Sequence, residues 1–311
     1  MLEEQFSYRN AEGFQIFYYR WSPEAADVRG VVQIAHGMGE TAARYERVAR
    51  ELCRQGLRVY ANDHRGHGHT AVGVNDLGYI GEEDGFDGMV RDLKQLGDII
   101  CEENPDTPVF LLGHSMGSFL AQKFMALYGD SLSGVILSGS NGPADPQTME
   151  QGMFVAKSEV EANGPKAKSQ LLTGMLFGGF NQSFAPARTD FDWLSRDESE
   201  VDKYIADPYC GSVFPSSFFY HLFQGLAALH EPELVARIPK DLPVYIFSGD
   251  KDPVGNFGEG VLQLYESYKQ LGIQDVECKL YPDGRHEMLN EINRDEVTRD
   301  LIEWLNRHIA S

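Results

Sequence analysis

The segment VFLLGHSMG, residues 109–117, limits the fold more than any other stretch of this 311-residue chain. A short, wholly apolar run ends on Gly113, Ser115 follows, and Gly117 leads into SFLAQKFMALYG, which has helical apolar spacing. Strand, sharp turn and helix in that order form the setting of a nucleophile elbow. The glycines are needed because the turn thrusts the serine hydroxyl out of the sheet on a strained backbone, where side chains two residues away would collide. The serine also falls at the start of the helix, whose free amides and dipole favour developing negative charge. Ser140, in SGSNG, follows the next apolar run but has Ser138 where an elbow requires glycine, so it reads as the end of a strand.

The surrounding pattern supplies the sheet that an elbow requires. A short antiparallel pair is expected near QFSYR and FQIFYYR, followed by strands at VVQIAH, LRVYANDH, VFLLGH, GVILSGS, VYIFSGDKD and VECKLYP. Helical stretches are expected over about 43–55, 85–103 and 258–271 and at the C-terminus. Strands alternating with helices predict an α/β fold with a mostly parallel central sheet and helices on both faces. Residues 141–238 break the alternation and are rich in Gly, Phe and Met, as in GMLFGGFNQSFAPA and FPSSFFYHLFQGL. They read as a helical cap inserted into a core made of residues 1–140 and 239–311. The cap aromatics are expected to form mainly the cap's own core.

A serine hydroxyl is a weak nucleophile without a base, and the base needs an orienting carboxylate. On this architecture the order is serine, acid, histidine. Of the downstream histidines, His221 and His230 fall in the cap and His308 in the last helix. His286, in YPDGRHEML, follows the last strand at the carboxyl edge of the sheet and is the expected base. The acid lies in FSGDKDPVG, where Asp250 and Asp252 both qualify and Asp252 is preferred. An oxyanion needs two backbone donors. Met116, next to the nucleophile, provides one amide, and Met38, in HGMGE after the first parallel strand, the other. His36 reads as a structural hydrogen-bonding residue.

The stretch DHRGHGH, residues 63–69, poses a metal question, since imidazole and carboxylate are common ligands of zinc and iron. It follows a strand, no second ligand cluster accompanies it, and serine chemistry needs no metal. It reads as a scaffold loop held by Asp63 and Arg65, and no metal or other cofactor is expected. The formal net charge of -20 argues against nucleic acid as a partner, because phosphate binding needs clustered Lys and Arg. Cys53, Cys101, Cys210 and Cys278 lie far apart without CxxC spacing. With no secretory signal and no long apolar run visible, the expectation is a cytoplasmic protein without a transmembrane segment.

Taken together, HGMGE followed by RY, DHRGHGH, GHSMGS, SGDKDPV and GRHEMLNE resemble the α/β-hydrolase family. The likeness is to its monoacylglycerol lipase and lysophospholipase branch, which is catalogued with serine aminopeptidases. The motifs keep the family's order and span nearly the whole chain outside the cap. In that family the acid stands three residues after a glycine, here Gly249 to Asp252. The resemblance implies Ser115, Asp252 and His286 as triad, the amides of Met38 and Met116 as oxyanion hole, and a cap that shapes an acyl pocket. It departs at His69-Thr70, where the family has serine, and in the cap, which matches no motif. The implied activity is hydrolysis of a small, lipid-derived acyl ester through an acyl-enzyme, with transient membrane-surface contact compatible with it. Two rival readings are an aminopeptidase of the proline iminopeptidase type, with Glu159 and Glu161 holding an amine, and a non-catalytic binding protein of the same fold.

Overall fold

The computed structural model describes residues 1–24 and 27–309. Eight strands form one sheet: β1 (Leu2–Arg9), β2 (Gln15–Ser22), β3 (Gly30–Ala35), β4 (Leu57–Asn62), β5 (Val109–His114), β6 (Gly134–Ser138), β7 (Val244–Gly249) and β8 (Val276–Tyr281). Their spatial order is β1-β2-β4-β3-β5-β6-β7-β8. The β1–β2 and β2–β4 pairs are antiparallel and all the others are parallel.

The sequence explains which strands are central. β3, β5, β6 and β7 are buried along their whole length, as their short apolar runs require in a parallel sheet covered on both faces. β1 has the alternating exposure of an edge strand. Successive side chains split between the faces: Phe110 and Leu112 point to one, Leu111 to the other, and likewise Tyr245 and Phe247 against Val244 and Ile246. The first face is covered by α1 (Glu46–Arg54) and α10 (Arg294–Ile309), through Val48, Leu52, Leu301 and Trp304. The second is covered by α2 (Gly85–Glu103), α3 (Met116–Tyr128) and α9 (Glu259–Gln270). The expected helix over 43–55 opens as a short 3-10 turn at Ala42–Tyr45 before α1 begins.

Between β6 and β7 the chain forms α4 (Pro146–Asn163), α5 (Gln170–Phe177), α6 (Glu198–Ala206), α7 (Ser216–Ala228) and α8 (Pro232–Val235). Asp145 caps α4 by accepting from the Thr148 amide at 2.8 Å, and Ser169 caps α5 from Leu172 at 3.0 Å. The aromatics of this segment divide in two. Phe214, Phe218, Phe219 and Phe223 are buried in the same cluster as α2 and α3, so they belong to the main core, each contributing about 2–3 kcal/mol by burial. Phe177, Phe180, Phe184, Phe191 and Trp193 form a separate cluster. The expectation that these aromatics form mainly the segment's own core therefore holds for this second group and not for the first. Gly225 of α7 sits where any Cβ would enter the Phe86 ring of α2, which is how the two helices pack so closely. Among the described residues no helix is long and apolar enough to cross a membrane.

Candidate active site

The loops after β3, β4, β5, β7 and β8 all leave the carboxyl edge of the parallel strands, where open α/β sheets bind ligands. Ser115 links β5 to α3 with φ 52° and ψ -122°, a backbone region that non-glycine residues occupy only when their surroundings enforce it. Those surroundings are visible. The Ser115 N–H donates to the Ser138 carbonyl at 2.9 Å, while the Ser118 amide and hydroxyl donate to the Ser115 carbonyl at 2.8 and 2.6 Å. A Cβ on Gly113 would meet the Gly117 carbonyl, and one on Gly117 the Ala35 carbonyl. Ser140 is committed elsewhere, its hydroxyl accepting from Ser118 at 2.8 Å and Gln122 at 2.9 Å.

His286 lies on the loop between β8 and α10, with Nδ1 2.9 and 3.0 Å from the two carboxylate oxygens of Asp252. Asp252 is fully buried and also accepts from Ser248 Oγ at 2.7 Å and the Val254 amide at 2.9 Å. Asp250, the other acid the sequence allows, turns away and accepts from the Asp283 amide at 2.8 Å. Burial would push the Asp252 carboxyl up, but the His286 charge and these hydrogen bonds hold it below the usual range. Burial likewise depresses His286, yet the Asp252 carboxylate outweighs it and keeps the imidazole above its ordinary value. The His286 ring stands between His114 (centroids 4.7 Å) and Trp193 of the inserted segment (5.1 Å). His114 itself is held to about 4 by burial and by the neighbouring His286, so it stays neutral.

Ser115 and His286 open into one cavity of about 420 Å³, shared with Gly37, Met38, Phe177, Phe191, Trp193, Leu194, Tyr204 and Val213. The Met38 amide is aimed by its own peptide group. His36 Nε2 accepts the His64 N–H at 3.0 Å, so Nδ1 carries the proton and donates to the Gly37 carbonyl at 2.8 Å. In a trans peptide the carbonyl and the following N–H point in opposite directions, which turns the Met38 N–H away from His36. A Cβ on Gly37 would stand 3.1 Å from the Ser115 Cβ, so this loop runs directly past the serine. Met116 is the first residue of α3, where an amide has no acceptor within its own helix.

The DHRGHGH segment supports this loop from below. Both Asp63 oxygens accept backbone amides, from Ala42 at 2.8 Å and His69 at 2.7 Å, and burial lifts its carboxyl to about 6. Arg65 is buried against Asp92 at 2.7 Å and Glu12 at 2.7 Å. His64 Nε2 lies 3.2 Å from the His36 carbonyl and its Nδ1 3.4 Å from Asn62 Nδ2, while His67 Nδ1 donates to the Arg65 carbonyl at 3.1 Å. His36 and His64 thus spend both ring nitrogens on protein partners, leaving His67 Nε2 as the only ring nitrogen of these three without a partner.

Several residues around the site have no local signature in the sequence. His114 and Trp193 reach His286 only through the folding of distant segments, whereas Ser248 stands four residues before Asp252, near the end of β7. The position of His114 inside GHSMG gave the one available signal.

A family model described as serine aminopeptidase, S33 matches residues 26–293. The chain belongs to the serine aminopeptidase S33 family. This S33 chain is 30% identical to a monoacylglycerol lipase of Mycolicibacterium smegmatis, with 97% of each chain covered. It is 28% identical to a monoglyceride lipase of Mus musculus, covering 97% of this chain and 90% of the relative. Among solved structures it superposes on a thermostable carboxyl esterase from Bacillus coagulans in complex with glycerol, with TM-score 0.90, 30% identity and 99% of both chains covered. Sheet, insertion and family together make the S33 chain an α/β-hydrolase.

Proposed function

We propose that this carboxylic ester hydrolase cleaves monoacylglycerols through an acyl-enzyme formed on Ser115. His286 takes the Ser115 proton as the hydroxyl attacks the ester carbonyl, and Asp252 holds the imidazole in the required tautomer and stabilises its charged form. The amides of Met38 and Met116 receive the oxyanion, glycerol leaves with the proton from His286, and water then releases the fatty acid by the same steps. Residues 1–140 and 239–311, which contain the sheet, act as the catalytic core, and 141–238 acts as a cap over the acyl chain.

The observation that carries the substrate reading is the cavity wall. Phe177, Phe191, Trp193, Leu194 and Val213 offer an apolar surface on which each buried CH2 contributes roughly 0.8 kcal/mol. No Lys or Arg is among the described residues lining it, so a neutral glycerol headgroup suits it better than a lysophospholipid phosphate. The monoacylglycerol and monoglyceride lipases among its relatives support the same choice. An aminopeptidase would need carboxylates free to hold an amine. Glu159 instead accepts from Ser216 at 3.0 Å, and neither it nor Glu161 lines the cavity. Of the carboxylates that do, Glu40 and Glu287 are engaged by Arg44 and Asp190 is exposed to solvent. Exposed Phe154, Leu171 and Met175 on α4 and α5 support brief contact with a lipid surface. All four cysteines are free, as in a reducing compartment, which supports a cytoplasmic setting.

Hydrolysis of 1-oleoylglycerol, oleoyl-lysophosphatidylcholine and proline naphthylamide by the wild type and by Ser115→Ala tests the reading. The expected order of kcat/KM is monoacylglycerol first, with Ser115→Ala lowering it by about four orders of magnitude or more. Wild-type turnover by Ser115→Ala would discard the nucleophile. A preference for the naphthylamide would discard the substrate.

A further inference from the structure

At the wall of the cavity, which Glu40 and Glu287 help to line, three charged side chains of HGMGE-TAAR and RHE close into a chain of hydrogen bonds that ester cleavage by the triad does not itself require. Glu40 Oε1 accepts the Gly37 N–H at 2.6 Å and the Tyr45 hydroxyl at 2.9 Å, and its Oε2 accepts Arg44 Nη1 at 2.7 Å. The Arg44 guanidinium then grips Glu287 with both ends of its fork, Nη1 to Oε1 at 2.6 Å and Nη2 to Oε2 at 2.7 Å. Glu287 follows His286 directly, and its backbone N–H donates to the Leu194 carbonyl at 2.7 Å. All three side chains are almost out of solvent, at 4%, 12% and 5% exposure for Glu40, Arg44 and Glu287. Arg44 also lies over the Tyr204 ring, 4.9 Å from its centroid.

We propose that Glu40, Arg44 and Glu287 are positioning residues for the reaction, an ion triad that locks the loop carrying the Met38 amide to the loop carrying His286. Gly37 is the point of attachment on one side, its N–H fixed by Glu40 and its carbonyl by His36. On the other side the attachment is one peptide away from the imidazole. A buried bidentate Arg–carboxylate pair fixes distance and orientation together, and a point contact would not. Positional errors of about 1 Å between donor amide and base cost roughly a hundredfold in rate, so a rigid link between the two loops has a large effect to exert.

The triad also carries charge. With two carboxylates and one guanidinium it is net negative, and it faces His286 together with Asp252 at the end of β7 and His114 at the end of β5. Glu287 and Glu40 act on the imidazole in the same direction as Asp252, favouring its charged form. The imidazolium forms as Ser115 attacks, so this contribution appears in the transition state and not before it.

The inference rests on the serine-hydrolase reading above, but its test compares variants with the wild type on p-nitrophenyl butyrate, so it does not depend on the natural substrate. Glu287→Gln keeps the shape and removes one charge. The expected result is a kcat lower by about tenfold or more with KM nearly unchanged. The acid limb of the kcat/KM–pH profile should also move to lower pH, because His286 loses an influence that favours its proton. A role in folding alone would leave that limb where it is. The triple variant Glu40→Gln/Arg44→Met/Glu287→Gln leaves no unpaired buried charge in the ion triad and serves if the single variant fails to fold. It should lose kcat to a similar degree. A folded variant of either kind with wild-type kcat, or Glu287→Gln with an unmoved acid limb, would overturn the proposal. An inactive wild type would instead discard the esterase reading on which it stands.

Discussion

At the scale of single residues, the chemistry proposed here depends on a carboxylate and an imidazole that each favour the other's charged form. Asp252 is kept below the usual carboxylate range and His286 above 6.5, in each case against the effect of burial. The base works only when neutral, so activity should be lost as pH falls through a value above 6.5. A kcat/KM–pH profile measures this directly, and an acid limb below 6.5 would contradict it. Asp252→Asn should lower kcat by about 10⁴-fold, by analogy with the orienting aspartate of serine proteases, whereas Asp250→Asn should change it little. Steady-state kinetics on the two variants separates the acids. Ser115 and His286 were legible in the sequence because a glycine-framed turn and a loop after the last strand are local patterns. Choosing between Asp250 and Asp252 from the residues alone was a preference, since both sit two residues apart on one loop and only the folded backbone shows which faces inward. Trp193 was not legible at all, because nothing local to it announces that it will cover the base.

At the scale of elements, the order of strands and helices followed from apolar runs and periodicity, and the observed bounds differ from expectation by up to three residues. The inserted segment was legible only as a break in the rhythm. Besides the phenylalanines of α7 that enter the main core, it is attached through long-range polar contacts that leave no periodic trace. Glu291, fully buried, accepts the Arg196 amide at 3.0 Å, Arg196 Nε at 2.9 Å, the Arg285 amide at 3.0 Å and the Ile292 amide at 2.9 Å. The Arg285 guanidinium in turn donates to the carbonyls of Asp192 and Ser195. One carboxylate thus staples the segment around 190–197 to the loop that carries His286. Glu291→Ala strands these partly buried donors and should cost about 1–3 kcal/mol, read as a lower denaturation midpoint and faster proteolysis near residues 190–197. A midpoint within about 0.5 kcal/mol of wild type would show that the staple is dispensable.

At the scale of the whole molecule, stability should depend on pH through histidines that do no chemistry. His36 and His67 are held to about 3 and His114 to about 4, while His64 lies well below its ordinary value, in each case chiefly by burial. An unfolded chain binds protons on these groups below pH 6.5 and the folded chain does not, so unfolding is favoured as pH falls. Each contributes a slope of about 1.4 kcal/mol per pH unit, from near 6.5 down towards its folded value. Asp63, lifted to about 6, works the other way over part of that range, and His286 does so above 6.5. Burial lowers His221 and His230 as well, so the depressed histidines outnumber the opposing groups. Urea midpoints at pH 7, 6 and 5 should therefore decrease steadily, and a constant midpoint would refute the assignment. Chain order has a further consequence. β6 gains its β7 neighbour only after more than a hundred residues of intervening chain, and Asp252 and His286 follow later still. A chain leaving the ribosome therefore exposes Ser115 on an unfinished sheet, with an open edge at β6 and no base beside the hydroxyl. On the proposed mechanism the enzyme cannot cleave an ester until its last quarter has been made, and its time of greatest risk from aggregation is the wait for that segment.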